Sequence, residues 1–496
     1  MRLFGFEIKR LRPTKARNYA AAKVDNLTAD WLTSGQTSDE ILRWSLARMR
    51  ERSRELSQNN DYMKNFLRKL RINVVGPNGI SMQSKARKMN GALDKTKNDL
   101  IEAAWREFNK RGSFSVCGTM GGRDFLCAAL ESVARDGDVL IRKVRGYDNA
   151  FRFALQLIEA DYLDETYNEA RPDGSRIVMG IEKNSWGRPI AYYLRTSHPG
   201  DSMQKGGPRH IRVPADEIVH PFIRDRATQS RGVPWGHSAI IRLRMLGAYE
   251  EAAIVNARVG ASKMQSIIMG EGQDYTEGEP RDEYGNIVQE VEPGMREVLP
   301  FGTQIHDSMP PFPSAEHGIF TKAMLRGISS GFGCSYNSLA NDLEGVNFSS
   351  LRSGLLEERD GWKALQAWFI ETVLDEIYPA WLDMAILSGQ LAINASTTDR
   401  LKAAPKWQPR RWEWVDPGKD IAARIDALGA KLTTRTRICA EVGEDFEDIL
   451  EELAAEELMA KSFGVDLSLD ASAARPAKDP PEVDDEGPPK EGKDAE

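Results

Sequence analysis

The 496-residue chain has few cysteines and no long uncharged apolar run. Cys117, Cys127, Cys334 and Cys439 form no CxxC pair, which argues against a disulfide framework and indicates reduced, structural thiols of a cytoplasmic product. A membrane-spanning helix needs a stretch of about 18 or more apolar residues, so the sequence predicts none. The basic N-terminus has no apolar core typical of a secretion signal, and Pro13 would interrupt an amphipathic targeting helix.

Motifs for metal and nucleotide chemistry are also missing from the sequence. The six histidines (His198, His210, His220, His237, His306 and His317) include no HxH, HExxH or His/Cys pair at ligand spacing. No GxxxxGK[ST] segment is present, so any ATP-driven step would have to come from a partner. We therefore expect no metal and no cofactor.

One short segment does resemble a catalytic motif. Gly327–Gly331 fits the GxSxG pattern of a serine hydrolase, with Ser329 as the nucleophile. That elbow needs a strand before the turn and a helix after it, whereas here a helix is predicted before it and a loop after it. We interpret Gly331 as a helix C-terminus and Cys334 as a small buried thiol, because a nucleophilic cysteine also needs a histidine and a carboxylate.

Charge is distributed unevenly along the chain. The net charge is −7, yet residues 1–23 carry seven Lys or Arg against one acidic residue. Residues 471–496 carry eight acidic and four basic residues with five prolines, so we predict a disordered tail. Between these ends the chain is long enough for two or more domains, and a net-acidic protein can still handle DNA that it does not grip tightly.

The first part of the chain has strong helix signals. Thr37 and Glu40 form a capping box, and a helix with arginines on its surface is predicted through about Leu56. A second helix is predicted from about 62 to 70, followed by a strand at 71–76 that ends in a Gly-Pro turn. A further amphipathic helix is predicted at 92–110.

Residues 136–223 have the alternation of antiparallel strands. Strands are predicted in DGDVLIRKVRG, FRFALQLIEADYL, SRIVMGIEKN, RPIAYYLRT and VPADEIVHPFI, with a turn at 184–187. Together these elements predict an α+β block.

A long helix follows this block. Residues 238–269 contain no proline, and one helix of that length would span about 48 Å. Residues 270–313 are polar and rich in glycine and proline, and a helix is predicted again at about 316–328. This order indicates an antiparallel helix pair with a small subdomain at its tip.

The remaining segments are predicted from weaker signals. We predict a loop at 336–350, a helix at 350–388 with breaks or kinks at Gly361 and Pro379, and helices at 418–465. Trp412 and Trp414 alternate as in a strand with one buried face. The alternative interpretation is that the two rings form a platform on which bases of single-stranded DNA stack.

Five segments, read in order, resemble the lambda-type portal family of tailed bacteriophages. They are RMRERSRELSQNNDYMKNFLRKLRINVVGPNGISMQ, QLIEADYLDE, GIEKNSWGRPIAYYL, VPADEIVHPFIRDRATQSRGVPW and GISSGFGCSYNSLANDLEGVNFSSLRSG. The resemblance covers about residues 45–450. It implies a non-enzymatic α+β subunit of a closed, usually dodecameric ring at one capsid vertex, assembled in the host cytoplasm. Such a ring passes double-stranded DNA and contacts the terminase large subunit, major capsid and scaffold proteins, and head-completion or tail proteins.

The resemblance also implies a division of the chain. In order, it has a basic arm (1–37), a wing (38–237), stem helix 1 (238–269), a clip (270–313), stem helix 2 (314–333), a channel loop (334–350), a channel helix with wing return (351–417), a crown (418–465) and a disordered acidic tail (466–496). The crown contains a dense acidic segment at 441–457, which is predicted to be a solvated helix face or to repel DNA at the channel mouth.

The candidate site residues fall into two groups. The DNA-channel candidates are Arg242, Arg244, Arg258, Lys263, Lys322, Arg326, Asn341, Asp342, Asn347, Ser349 and Arg352. The motor-docking candidates in the clip are Glu279, Arg281, Asp282, Glu283 and Glu290. The basic stem residues could instead make inter-subunit salt bridges, and the polar loop could be an ordinary helix connection. A hydrolase using Ser329 and a generic minor capsid component remain the alternative functions.

Overall fold

The computed structural model describes residues 2–3, 6–7, 35–203, 210–261, 265–268, 296–299, 316–345, 347–394, 397–412, 417–441 and 446–465. The chain divides into two compact units, Met1–Arg410 and Arg411–Glu496. Two short strands, β1 (Arg2–Leu3) and β2 (Phe6–Glu7), pair antiparallel at the start of the first unit.

Two helices separated by a single residue begin the main body of the first unit. Helix α1 (Ser38–Asn59) is capped by Thr37, whose side chain accepts a hydrogen bond from the Glu40 backbone N–H at 3.3 Å. Asn60 ends α1, and its side chain caps α2 (Asp61–Leu70) by accepting from the N–H of Met63 at 3.1 Å. The Thr37 N-cap, the break and the second helix are confirmed, whereas the Glu40 carboxylate accepts from Trp44 Nε1 at 3.4 Å instead of completing a capping box.

Two predictions for this part of the chain are wrong. Residues Arg71–Val75 form a π-helical turn that continues α2, not a strand. The β-branched residues of this segment favour a strand locally, but side chains from distant segments bond its carbonyl groups. Gln366 donates to the carbonyl of Asn73 at 2.7 Å, and Arg410 donates to that of Ile72 at 3.1 Å. On α1, Arg50 is buried rather than on the surface, because acidic residues of the sheet region pair with it.

Strand β3 (Ser81–Ser84) and helices α3 (Lys95–Phe108) and α4 (Gly122–Asp136) complete the helical layer before the sheets. Helix α3 lies within the predicted range 92–110. Helix α4 was not predicted, although Phe125, Leu126, Ala129, Leu130 and Val133 follow helical spacing and are all buried.

Strands form two antiparallel sheets in the predicted α+β block. Their bounds are β4 (Leu140–Arg145), β5 (Phe153–Ile158), β6 (Glu169–Ala170), β7 (Arg176–Val178), β8 (Ile181–Lys183), β9 (Pro189–Arg195), β10 (His210–Pro214) and β11 (Ile218–Val219). One sheet has the order β10-β9-β8-β7-β6, and the other has the order β11-β4-β5. The pairing of β4 with β5 and of β8 with β9 agrees with the predicted strands and turn. The segment SRIVMGIEKN is not one strand as predicted, because the chain turns at Met179 and Gly180 and its two halves, β7 and β8, pair with each other. The segment VPADEIVHPFI is not one strand, because a 3₁₀ turn at Ala215–Glu217 separates β10 from β11.

The predicted long helix is shorter than expected. Helix α5 (Ile240–Ala261) ends near Gly260, and Gln265–Ile268 forms strand β12. Strand β12 pairs in parallel with β13 (Arg296–Leu299), a partner that helical periodicity does not reveal. Since α5 has 22 residues, it spans about 33 Å instead of 48 Å. Helix α6 (Glu316–Phe332) begins as predicted and runs four residues further.

The predicted loop at 336–350 contains helical structure. Ser335 caps the short helix α7 (Tyr336–Ala340) by accepting from the Ser338 N–H at 3.2 Å, and Asn341 ends it in the left-handed region with φ 53°. Helix α8 (Phe348–Phe369) then runs through Gly361 without a break.

The irregularity in the next helical segment lies elsewhere than predicted. It is a π-helical turn at Ile370–Leu374, followed by α9 (Asp375–Leu387) with Pro379 near its start. Helix α10 (Thr398–Lys402) and strand β14 (Pro405–Gln408), which pairs with β3, complete the first unit.

An aromatic cluster forms much of the core between these elements. Trp381 lies 4.8 Å from Trp105 and 5.8 Å from Phe108, measured between ring centroids, with edge or tilted geometry. Tyr378 and Trp407 pack on the same Trp105 ring. Such pairs add about 0.5–1.5 kcal/mol each beyond the area they bury, so this cluster fixes α3, α9 and β14 together.

The second unit is described here by itself. Its helices are α11 (Pro417–Gly429), α12 (Arg435–Glu441) and α13 (Phe446–Phe463), which confirms the helical prediction for 418–465. Trp412 lies outside any strand, so the prediction of a strand there is wrong for this residue, and Trp414 lies outside the described residues. The acidic tail at 466–496 also lies outside them.

Candidate channel surface and the ionic network behind the motifs

Helices α5 and α6 pack antiparallel, as predicted. Near one end of the pair, Tyr249 Oη lies 3.2 Å from His317 Nδ1. Towards the other end, the Arg242 guanidinium covers Gly327, and Gly331 packs against Ala239. A Cβ at 327 would meet only the end of the flexible Arg242 side chain, so a larger residue there would have to displace the guanidinium.

The basic candidates on α5 are exposed. Arg242, Arg244 and Arg258 all lie on solvent-accessible positions of the helix. Lys263 and the clip candidates Glu279, Arg281, Asp282, Glu283 and Glu290 lie outside the described residues. The described part of α5 therefore offers cationic groups that phosphate could reach.

On α6, the two basic candidates have local partners. Lys322 Nζ lies 3.3 Å from an Asp342 oxygen and 3.0 Å from a Glu344 oxygen. The hydrogen bonds that Lys322 donates to Glu344 and Asp342 raise its pKa. The Arg326 guanidinium lies 5.7 Å from the centre of the Tyr336 ring. Lys322 is thus held by two carboxylates, which balance its charge and that of the nearby Arg326.

The loop after α7 is organised by the same cluster. Tyr336 Oη donates to Asp342 at 2.6 Å, and this hydrogen bond lowers the pKa of Asp342. Asn341 is exposed and lines a shallow pocket with Lys69, Ser338 and Leu355. The structure therefore brings Lys322, Arg326, Asn341 and Asp342 into one neighbourhood.

The three remaining channel candidates lie at the start of α8. Asn347 is exposed just before the helix, and Arg352 is half-buried within it. Ser349 belongs to the first turn of α8, with its side chain outside the described residues.

The first unit also contains a buried ionic centre that the sequence did not predict. Arg231 is fully buried, and its Nε donates to Asp138 at 2.5 Å. The same guanidinium donates to the carbonyls of Leu163 at 3.1 Å and Ala160 at 3.0 Å. Burial alone would raise the pKa of Asp138, but Arg231 and His220 hold it well below the usual range. His220 Nε2 lies 3.2 Å from Asp138, and burial lowers the pKa of this histidine.

A second group of charges joins α1 to the same region. Arg50 pairs with Asp161 at 3.2 Å and with Glu165 at 2.8 Å. Arg54 bridges Asp161 and Asp136, with 2.8 Å between its Nε and Asp136. Because Asp136 and Asp161 are largely buried, each needs these partners to avoid a large desolvation cost.

A third set of polar contacts ties the start of α1 to the same region. The Asp39 carboxylate accepts from the backbone N–H of Ser230 at 2.8 Å and from its hydroxyl group. Lys183 Nζ donates to the Ser230 hydroxyl at 2.5 Å.

These contacts give a physical role to the segments that resemble the portal family. Arg50 and Arg54 lie in the first segment, Asp161 and Glu165 in the second, Lys183 in the third, and His220, Ser230 and Arg231 in the fourth. Their side chains bond one another across the fold rather than facing solvent. In the sequence, these contacts are indicated only by charged residues that lie within apolar segments. Periodicity alone does not show which residues such charges pair with.

The structure does not support the alternative that Ser329 is the nucleophile of a hydrolase. Residues 327–331 all lie inside α6, so the strand–turn–helix arrangement of a nucleophile elbow is absent there. Ser329 is buried, and its hydroxyl has no hydrogen-bond partner among the described residues. Burial raises the pKa of Cys334 to about 12, so its thiol stays protonated near neutral pH.

One cluster of potential metal ligands occurs among the described residues. Donor atoms of Glu159, Asp161 and His198 lie within 4.8 Å of one another. The Gly200 N–H donates to His198 Nδ1 at 3.1 Å, which places the proton of the neutral ring on Nε2, the atom that faces the carboxylates. Asp161 is also already paired with Arg50 and Arg54. The charge of Asp161 is thus already balanced by two arginines, which weakens the case for a metal ion at this cluster.

No described helix is both long and apolar enough to cross a bilayer.

Comparison with known proteins now identifies the family. A model described as "Phage portal protein, lambda family" matches residues 25–366. A "Probable portal protein" of Halomonas phage phiHAP-1 is 36% identical over 463 residues, covering 92% of this chain and 89% of that protein. "Portal protein B" of Escherichia phage lambda is 21% identical, with 90% of each chain covered. Among solved structures, "Neck of empty GTA particle computed with C6 symmetry" is 14% identical with a TM-score of 0.41, covering 81% of this chain and 93% of that one.

The chain belongs to the lambda family of phage portal proteins. It is a portal protein of tailed-phage type, and the resemblance seen in the sequence is confirmed.

Proposed function

We propose that this chain assembles into a closed ring, usually of twelve copies, that conducts double-stranded DNA through one vertex of a capsid. The observation that carries the proposal is the antiparallel α5–α6 pair, which exposes basic and apolar side chains next to a rigid, internally bonded α+β block. A purely catalytic protein has no need of such a surface. The chain itself contributes structure, and the terminase large subunit supplies the ATP-driven step.

In this proposal the channel wall attracts DNA only weakly. Arg242, Arg244 and Arg258 are exposed cations on α5, whereas Lys322 on α6 is paired with the carboxylates of Asp342 and Glu344. A wall of mixed charge contacts phosphate without the strong neutralisation that gives tight, salt-sensitive binding. Lys263, Asn341, Asn347, Ser349 and Arg352 complete the proposed channel lining.

Other segments are assigned to partners. Residues 270–313, with Glu279, Arg281, Asp282, Glu283 and Glu290, form the proposed docking surface for the terminase motor. The wing contacts major capsid and scaffold proteins during assembly in the host cytoplasm, and head-completion or tail proteins bind later in the virion. The acidic segment at 441–457 repels DNA at the inner mouth, so that the ring does not trap it.

The first experiment is mass photometry with negative-stain microscopy of the purified chain at moderate salt. Ring particles of about twelve copies with a central hole are the expected result. A generic minor capsid component would give no such ring. Particles that remain monomeric even when scaffold protein is added would contradict the proposal.

A deletion separates motor docking from ring formation. Removing residues 271–300 is expected to leave rings intact and to abolish terminase binding and packaging. Normal packaging by the deletion variant would refute the clip assignment. Exchange of Glu447, Glu451 and Glu452 for glutamine serves as a comparison, because it should alter DNA retention while motor docking remains normal.

A further inference from the structure

Four arginines from separate parts of the first unit surround the turn at residues 76–79, just before β3. The members of this arginine cluster are Arg71, Arg111, Arg123 and Arg410, and none of them is a channel or motor-docking candidate. A Cβ at Gly76 would lie 3.1 Å from the Cβ of Arg410, and a Cβ at Gly79 would lie 3.3 Å from the Cβ of Arg123. Both arginines therefore pack directly on the turn, one at each end of it.

Helix α4 brings Arg71 to the same place. The Arg71 guanidinium is hydrogen-bonded to the Cys127 thiol of α4 and lies 3.6 Å from Glu131 of the same helix. Arg123 lies four residues before Cys127, so it occupies the preceding turn on the same face of α4. The backbone also connects the two places, because the Gly76 N–H donates to the Arg71 carbonyl at 3.0 Å.

Local bonds fix the orientation of the other side chains of the arginine cluster. One oxygen of Asp124 lies 3.2 Å from Arg111 Nη2, and its other oxygen lies 3.1 Å from Arg123 Nη1. Arg410 donates to the Asn73 side chain at 2.8 Å. A guanidinium has five N–H donors, so the single carboxylate that Arg111 and Arg123 share orients both groups without using all of their donors.

The arginine cluster is a positive region on a chain whose net charge is −7. Its four cations face the two carboxylates of Asp124 and Glu131, which leaves a local excess of two positive charges. Arg71, Arg111 and Arg123 are 46%, 74% and 45% exposed. An anionic partner can therefore reach these cations at the surface.

We propose that the arginine cluster binds the phosphate backbone of double-stranded DNA outside the channel. Arginine suits phosphate because its planar guanidinium can donate two parallel hydrogen bonds to one anion. DNA is favoured over an acidic protein because the turn between the arginines exposes only Pro77 and Asn78, whereas the centre of a protein interface is apolar. The inference rests on the proposed function, since that function brings DNA to the ring.

Covalently closed circles of double-stranded DNA test this site, because a closed circle cannot be threaded through a closed ring. Rings of the full chain are purified before the circles are added, so that they cannot assemble around the DNA. We expect wild-type rings to bind the circles. Combining Arg111→Gln with Arg123→Gln should raise the Kd by about tenfold and reduce the slope of log K against log salt by about two, because two phosphate contacts are lost.

The matched control removes two other exposed arginines. Arg145 and Arg152 are 42% and 58% exposed, and each is paired with one carboxylate, at 3.6 Å and 3.5 Å. Arg145→Gln with Arg152→Gln changes the net charge by the same amount but should have little effect on the Kd, because these arginines lie outside the cluster. Circular dichroism should report equal helix content for the two double variants.

A conservative variant separates charge from geometry. Arg111→Lys with Arg123→Lys keeps both charges but loses the planar guanidinium groups, so its Kd should lie between those of the wild type and the glutamine variant. Wild-type rings that do not bind circles, or equal Kd values for the cluster and control variants, would overturn the proposal. A polyglutamate peptide that binds the cluster more tightly than a DNA duplex of equal charge would also overturn it and would indicate an acidic protein as the partner.

Failure of this inference is distinguishable from failure of the proposed function. If the wild-type chain forms rings that bind linear DNA but not circles, only the cluster assignment fails. If the chain forms no ring at all, the proposed function fails, and the Kd values of the unassembled wild-type and variant chains for the same circles decide the cluster assignment by themselves.

Discussion

The α+β block and the α5–α6 pair use charged residues in opposite ways. In the block, Arg231 and Asp138 are buried and bond each other, together with backbone groups of the neighbouring segments. On α5, Arg242 and Arg244 are exposed. Three of the five segments that resemble the family lie in this block or directly after it, so the resemblance in those segments reports how the fold is held together. It does not by itself locate the surface that contacts DNA or partners.

The largest expected effect comes from breaking the buried centre. Asp138→Ala leaves the Arg231 guanidinium buried without its carboxylate, which should lower the free energy of unfolding by about 3–5 kcal/mol. Denaturant unfolding followed by tryptophan fluorescence measures the change. Asp148→Ala is the matched control, because Asp148 is fully exposed and its ion pair with Arg152 spans 3.5 Å. Equal stability of the two variants would show that the buried ion pair contributes no more to the free energy of unfolding than an exposed one.

Lowering the pH is expected to have a smaller effect on the free energy of unfolding. Burial alone would raise the pKa of Asp164, but hydrogen bonds from Thr166 and Arg195 lower it to about 2. Since an aspartate in the unfolded chain has a pKa near 4, its contribution is complete above about pH 4 and is lost as pH falls through about 2. The contribution is about 1–2 kcal/mol after allowance for solvent screening.

Asp164→Asn isolates this contribution. The difference in unfolding free energy between wild type and variant should be largest above pH 4 and should shrink towards pH 2. Asp138 is unchanged in the variant, so its own contribution to acid sensitivity is the same in both proteins and cancels in the difference. A difference that stays constant between pH 5 and pH 2 would contradict the assignment.

The smallest effect is expected at the serine of the apparent catalytic motif. Ser329→Ala removes a buried hydroxyl that has no partner among the described residues, so the unfolding free energy should change by less than about 1 kcal/mol or rise slightly. Ring formation should be unaffected. A large loss of stability, or the loss of a measurable hydrolytic activity, would revive the alternative that this serine has a chemical role.

Elements with local signals could be predicted from the sequence. Thr37 and Asn60 are capping residues whose hydrogen bonds reach only three residues along the chain, so their positions can be inferred from residue type. The hairpin of β8 and β9 is similarly local, because Asn184 and Gly187 form its turn. The antiparallel arrangement of α5 and α6 was likewise indicated by the order of helix, polar segment and helix.

Features that depend on distant partners could not be predicted in this way. Asp138 and Arg231 are 93 residues apart, and Asp39 and Ser230 are 191 residues apart. The strand at Gln265–Ile268 exists because Arg296–Leu299 pairs with it, and the π-helical turn at Arg71–Val75 is bonded by Gln366 and Arg410. In each case tertiary contacts outweigh a local preference of about 1 kcal/mol per residue or less.

The bonds made by Arg410 have a mechanical consequence. Arg410 is the last residue of the first unit, and its guanidinium donates to the carbonyl of Ile72 and, at 2.8 Å, to the side chain of Asn73. Its own carbonyl accepts from Gln366 at 3.0 Å. These hydrogen bonds hold the backbone at residue 410 to α8 and to the π-helical turn. They are therefore the first contacts to resist a pull on the chain beyond that residue.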